Sequence, residues 1–324
     1  MLFSDIDIIR APAFYLNLPT MDNNISTKIS DASQKRQEIE LLRIFSAFGI
    51  IWYHSASTGR DVAYAGLVAF LIISLYFSAK IKSPPKPVLE RAKILLLPWI
   101  VWSIFYGAIN LVQNRPFFSL DNGITAGLLT GASLHLWYMP FIFIVIIIFD
   151  YIKRYLTASM LCYACVALAL TLLWLNSSWH PLALALGAPY AQYAHALDGV
   201  FIGVFFANCS ALPRAMRAGF IAAILAFVLL FSWSVPGMGI TYLVGIALAA
   251  IILLPDWNMR FPVNISVLSE CTLGIYLSHV FWIKVVSKFG IQSEIALSLL
   301  VFGISALTIL ALKRFAPRVA RYTA

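Results

Sequence analysis

Leu41-Leu42-Arg43-Ile44-Phe45-Ser46-Ala47-Phe48-Gly49-Ile50-Ile51-Trp52-Tyr53-His54-Ser55-Ala56-Ser57 is an apolar run of about the length that crosses a bilayer as a helix. It carries one arginine and one histidine, eleven positions apart. A charged side chain costs roughly 2.5–3.5 kcal/mol at mid-membrane on insertion scales, so such residues are rarely accidental there. Eleven residues are close to three helical turns, which puts Arg43 and His54 on one face, roughly 16 Å apart along the axis. One polar group toward each side of the membrane, on a single line, suggests chemistry across a bilayer.

The rest of the chain supports a membrane reading. Its 324 residues are 61% hydrophobic and 11% charged, with a mean hydropathy of +0.86. An average soluble domain is about 25% charged. The expectation is an all-α, polytopic membrane protein with about ten transmembrane helices, near 41–57, 62–79, 94–112, 136–150, 158–175, 196–208, 216–234, 238–254, 267–286 and 293–312. Residues 1–38 are polar and lack the short apolar core and cleavage site of a signal peptide. They read as a soluble cytoplasmic tail, ordered or disordered, with Met21 an alternative start. Residues 39–314 form the membrane domain, and 315–324 a basic cytoplasmic tail.

A net charge of +9 raises nucleic acid as a partner, but its distribution argues for membrane orientation instead. With the N-terminus inside, only Arg60, Arg115, Lys284 and Lys288 of the 23 lysines and arginines fall outside. That asymmetry predicts two cytoplasmic termini and an even number of spans. No internal repeat of the kind that marks many transporters is visible.

Four groups of residues carry candidate chemistry. His54, near the outer end of the first span, is either a self-solvating interfacial histidine or a base or acyl acceptor. The small residues Ser46, Ala47 and Gly49 between it and Arg43 permit close helix packing, and equally leave room for a thin ligand. The loop 80–93 holds Lys80, Lys82, Lys86, Arg91 and Lys93. Most of these serve topology and anionic lipid, whereas Arg91 and Lys93 run into the next helix and suit phosphate. Leu134-His135-Leu136-Trp137-Tyr138-Met139-Pro140 opens the fourth span; its aromatic residues are belt residues or a platform for a sugar ring. In the ninth, Thr272, Tyr276 and His279 fall at i, i+4 and i+7 and make one polar stripe. Glu270 lies deeper and calls for a partner such as Arg43 or Arg91. His195 and Asp198 loosely resemble a carboxylate–imidazole pair. Cys162-Tyr-Ala-Cys165 has metal or redox spacing, but nothing nearby completes a site, so no metal is expected. Cations thus gather inside, and imidazoles with aromatics outside. An anionic donor from the cytoplasm and a neutral acceptor outside need this polarity.

The ordered set resembles acyltransferase family 3, integral-membrane acyltransferases that decorate bacterial surface glycans. Glu40-Leu41-Leu42-Arg43 through His54 is similar to the family's basic residue, ten-residue spacer and histidine. Ile73-Ser74-Leu75-Tyr76-Phe77-Ser78 resembles its second-helix segment, with Leu75 where a glycine is usual. Arg91-Ala92-Lys93-Ile94-Leu95-Leu96-Leu97-Pro98-Trp99 resembles the basic start of its third helix, with Ile94 where a second arginine is common. Leu136-Trp137-Tyr138 and Ile275-Tyr276-Leu277-Ser278-His279 are similar to later signatures. The resemblance implies transfer of an acyl group, usually acetyl from acetyl-CoA, to a sugar hydroxyl of a lipid-linked or surface polysaccharide at a bacterial inner membrane. The partners implied are acyl-CoA, the glycan acceptor and membrane lipid, without nucleic acid or a permanently bound cofactor. His54, Tyr276 and His279 are then the catalytic candidates. Arg43, Arg91 and Lys93 are those for CoA phosphates, and Trp137, Tyr138 and His135 those for the acceptor. A polytopic transporter or lipid-linked glycan flippase is the main alternative, and a sensor without activity a third.

Overall fold

In hydrocarbon every backbone N–H and C=O has to be paired within the protein, and a helix does this inside one segment. The apolar runs accordingly fold as helices, with no strand among the described residues. The computed structural model describes residues 36–323 apart from 56–57, 256–258, 260–261 and 264. The expected tail up to residue 35, Met21 and Arg260 lie outside the described residues. The main helices are α1 (Gln37–Ser55), α2 (Ala65–Ser78), α3 (Val88–Val112), α4 (Tyr138–Ile152), α5 (Ala158–Trp174), α6 (Asn176–Leu186), α7 (Tyr190–Asn208), α8 (Arg214–Phe227), α9 (Gly239–Leu253), α10 (Thr272–Val286) and α11 (Glu294–Phe315).

Each of the ten expected spans coincides with a helix. Six stretches are long and apolar enough to cross a membrane unaided: Arg60–Ser78, Val88–Val112, Leu134–Ile152, Tyr190–Ala211, Arg214–Ser232 and Glu294–Phe315. A seventh qualifies if α5 and α6, bent by 79° at their junction, count as one broken span. The others fall short for physical reasons. α1 carries Glu38, Glu40 and Arg43 in its first two turns, and the 15 residues of α9 or α10 reach only about 22 Å at 1.5 Å per residue.

α2 lies at the centre, packed against α1, α7 and α9. Its Leu71, Ile72 and Leu75 are at most 1% exposed, which explains a helix apolar all round. Close approach depends on glycine at two places. A Cβ on Gly66 would sit 2.6 Å from the Ser46 carbonyl, and one on Gly49 2.6 Å from that of Ala63. The small-residue face of α1 is therefore a packing seam against α2. A Cβ on Gly203 of α7 would meet the Leu75 Cβ at 2.8 Å. The small residue that Leu75 denies to α2 is supplied by the facing helix.

Arg36, the first described residue, is tied to the helical body. Its guanidinium donates to the carbonyls of Ile252 (2.8 Å) and Pro255 (2.9 Å), capping the end of α9. The C-terminal residues also pack back: the Trp102 indole donates to the Thr323 carbonyl at 2.9 Å, and Ala320 and Thr323 are buried. Between α3 and α4 the chain forms a short helix, Ile124–Thr130, in a stretch whose sequence shows no apolar periodicity.

Candidate active site

Arg43 and His54 stand near opposite ends of α1, as their spacing predicts. His54 is the exposed imidazole of a group of three. Its ring centroid lies 5.1 Å from that of His279, which lies 5.2 Å from that of His135. His135 and His279 are 5% and 0% exposed. Three imidazoles from α1, the start of α4 and α10 thus converge, although 225 positions separate the first from the last.

Hydrogen bonds assign different states to the two buried rings. His135 Nε2 lies 3.2 Å from the Leu277 carbonyl and so carries the proton, while Nδ1 accepts from Ser133 Oγ at 3.0 Å. Both nitrogens are engaged, so this ring clips the start of α4 to α10. His279 Nδ1 donates to the Tyr276 carbonyl. Its Nε2 is left as a lone pair with no partner among the described residues. Tyr276 Oη donates to the His135 carbonyl, and Tyr106 Oη donates to that of Leu277 at 2.9 Å. The stripe Thr272, Tyr276, His279, which spacing places on one face of α10, is buried.

Tyr138, 3% exposed, has its ring 5.7 Å from Tyr276, and its hydroxyl lies 2.8 Å from Ser74 Oγ. It also forms one end of a cavity of about 360 Å³, whose opposite end holds Arg43, Arg91 and Glu270. Phe70 to Ser78 of α2, and Tyr138 to Ile146 of α4, line it, so it runs about 12 Å along both helices at 1.5 Å per residue. The passage lies between α2, α3, α4 and α10; the small-residue face of α1 lies outside it and borders a separate apolar groove of about 790 Å³.

Both arginines at the basic end stand beside carboxylates. Arg43 stands 3.5 Å from Glu40 and over the Phe77 ring at 5.1 Å. Arg91 is held by Asp150 at 3.2 Å, and that carboxylate also pairs with Lys153 at 2.5 Å. Glu270 lines the same cavity as both arginines, and its carbonyl accepts from Lys313 at 2.9 Å. Lys93 is exposed and is not part of the cavity wall.

The remaining candidates are placed differently from one another. Trp137 is 6% exposed and packed among Tyr138, Phe141 and Tyr193, with no free face for a sugar. No hydrogen bond joins His195 to Asp198: both Asp198 oxygens lack partners among the described residues, and the His195 ring lies 4.7 Å from that of His180, tilted by 50°. Cys162 and Cys165 are buried free thiols, and the Cys162 thiol faces the Phe205 carbonyl of α7.

Two sets of residues in this neighbourhood escape the sequence reading. Asp150 and Lys153 orient Arg91, and the signal for them is a lone carboxylate closing the apolar run Ile146-Ile147-Ile148-Phe149. Trp99, Ser103, Tyr106 and Asn110 fall at i, i+4, i+7 and i+11 of α3, a stripe of the same kind as that in α10.

These motif segments, scattered over 240 positions, meet around one cavity and one imidazole cluster. A family model described as an acyltransferase domain, that of acyltransferase family 3, matches residues 36–313. No curated protein and no solved structure matches the chain. The match spans the main helices from α1 through all but the last two residues of α11, favours an enzyme over a transporter, and shows that the chain belongs to acyltransferase family 3 and is a membrane acyltransferase.

Proposed function

We propose that the protein moves an acyl group, acetyl in the simplest case, from cytoplasmic acyl-CoA to a sugar hydroxyl presented on the opposite side of the membrane. The single observation that carries this reading is the cavity whose one end is Arg43 and Arg91 and whose other end is Tyr138, next to the imidazole cluster. Arg43 and Arg91 hold the phosphates of CoA; guanidinium pairs phosphate oxygens in a bidentate manner. The pantetheine arm lies in the apolar passage between them and Tyr138, which brings the thioester toward His279 and His54.

His54, exposed where the buried imidazoles are not, is the group that meets the acceptor. It takes the proton of the hydroxyl as the oxygen attacks the thioester carbonyl. The C–O bond forms, the C–S bond breaks, and the departing thiolate takes the proton from the imidazolium. The products are a sugar ester and free CoA thiol, with no net proton released. His279 is a positioning residue: its Nε2 lone pair is oriented by the Nδ1–Tyr276 bond to receive an N–H from His54. Tyr276 and His135 hold that arrangement through backbone contacts.

The test is transfer of labelled acetyl from acetyl-CoA to polysaccharide of the source strain by the purified full-length protein. His54→Ala is expected to reduce it by about 10²–10⁴-fold, the usual contribution of a general base. Transfer at the wild-type rate in a folded His54→Ala protein overturns the assignment. In parallel, mass spectrometry of surface glycan from a deletion strain is expected to show loss of the ester; an unaltered ester content removes the glycan as acceptor.

A further inference from the structure

A second pocket, of about 470 Å³, opens beside the imidazole cluster in the connection between α3 and α4. Asn110, Thr130 and Ser133 line its wall, and Arg115, Asp121 and Asn122 its rim. We propose that it binds a neutral sugar unit of the acceptor glycan, the one adjoining the unit that receives the acyl group. The proposal rests on the glycan-acylating reading above.

Two observations favour a sugar. Half of the lining residues carry amides, hydroxyls or one arginine balanced by one aspartate, and the other half are Gly, Ala, Pro and Leu. A sugar ring presents hydroxyls at its edge and C–H groups on its faces and matches both halves, whereas an anion calls for surplus cations and a purely apolar ligand leaves the polar half unmatched. Second, the pocket touches the reaction centre: Ser133 Oγ bonds His135 Nδ1 at 3.0 Å, and the His135 ring lies 5.2 Å from that of His279. Two imidazoles stand between the pocket and His54, so the pocket takes the neighbouring unit.

The pocket is also built rather than incidental. Asn110 Nδ2 donates to the Ala132 carbonyl at 2.9 Å, Asn122 Nδ2 to that of Ala188 at 2.8 Å, and Ser119 Oγ to Asp121 at 2.6 Å.

The test uses the full-length protein without acyl-CoA, so that no reaction occurs. Oligosaccharides of two to six sugars, cut from the surface polysaccharide of the source strain, are titrated calorimetrically. Two variants at exposed positions, Leu134→Trp, which fills the pocket, and the double change Arg115→Ala with Asp121→Ala, are expected to weaken binding about tenfold or more, the effect of one or two lost hydrogen bonds. An acyl-CoA titration on each variant, with wild-type affinity expected, reports an intact fold. Wild-type oligosaccharide affinity in both variants, or no binding to the unaltered protein, overturns the pocket. Binding that the variants abolish, without any glycan acylation by the unaltered protein, upholds the pocket and removes the reading on which it rests.

Discussion

At the scale of single residues, accessibility and hydrogen bonding separate histidines that the sequence presents as equals. His135 spends both ring nitrogens on Ser133 and Leu277, whereas His54 is exposed. His135→Ala is therefore expected to destabilise the protein by about 1–3 kcal/mol, the cost of stranding buried partners, seen as a lower thermal midpoint in detergent. His54→Ala, at an exposed ring beside His279, is expected to lower that midpoint less than His135→Ala does, while transfer is lost. Equal midpoints for the two variants contradict this division. The basic candidates separate likewise. Arg91, fixed by Asp150 inside the cavity, is expected to raise the KM for acyl-CoA about tenfold or more when changed to alanine, the scale of a charge-assisted bond. Lys93→Ala, on an exposed position, is expected to leave it within twofold; the reverse ranking assigns the phosphates to Lys93. The identities of both residues are plain in the chain, but which way each side chain leaves α3 depends on what α4 offers, and Asp150 decides it.

At the scale of helices, packing is set by where a missing side chain falls. Ser46, Ala47 and Gly49 read equally as a ligand path or a packing seam; Gly49 and Gly66 meet across α1 and α2, and Ser46, Gly49 and Gly66 also border an apolar groove of about 790 Å³. The cavity that holds Arg43 and Arg91 is a different space, where Phe70 and Ser74 face Tyr138. Leu75, a departure from the family pattern, is accommodated by Gly203 of α7. Gly203→Ala is thus expected to cost about 1–3 kcal/mol by overpacking, and Leu75→Gly, which removes the opposing Cβ, to recover part of it in the same chain. Thermal unfolding of the single and double variants measures that coupling; additive losses indicate that the two positions do not oppose each other. The stripes on α3 and α10 show the same logic from the polar side: spacing places Trp99, Ser103, Tyr106 and Asn110 on one face, and only the neighbouring helices show that the face is turned toward the site.

At the scale of the whole molecule, orientation follows from charge. The basic ends of α1 and α3 are expected to face the cytoplasm, and the connection between α3 and α4 the opposite side. The four native cysteines are buried and so give little background to a membrane-impermeant thiol reagent. A cysteine introduced as Asn122→Cys is expected to react in intact cells, and Lys86→Cys only after permeabilisation; the opposite pattern reverses the donor and acceptor sides. What the sequence determined by itself was the class of fold, the helical stretches, the shared face of Arg43 and His54, and the family. These follow from local quantities: hydropathy summed over a segment, the 3.6-residue turn, and short motifs. What only the tertiary structure decided was the convergence of His54, His135 and His279, the cavity from Arg43 and Arg91 to Tyr138, the exclusion of Lys93 from its wall, the burial of Trp137, and the polar pocket beside Ser133. Those depend on which faces of distant helices meet, and helix contact is governed by side-chain volumes and buried hydrogen bonds between segments far apart in the chain, which no local window of sequence contains.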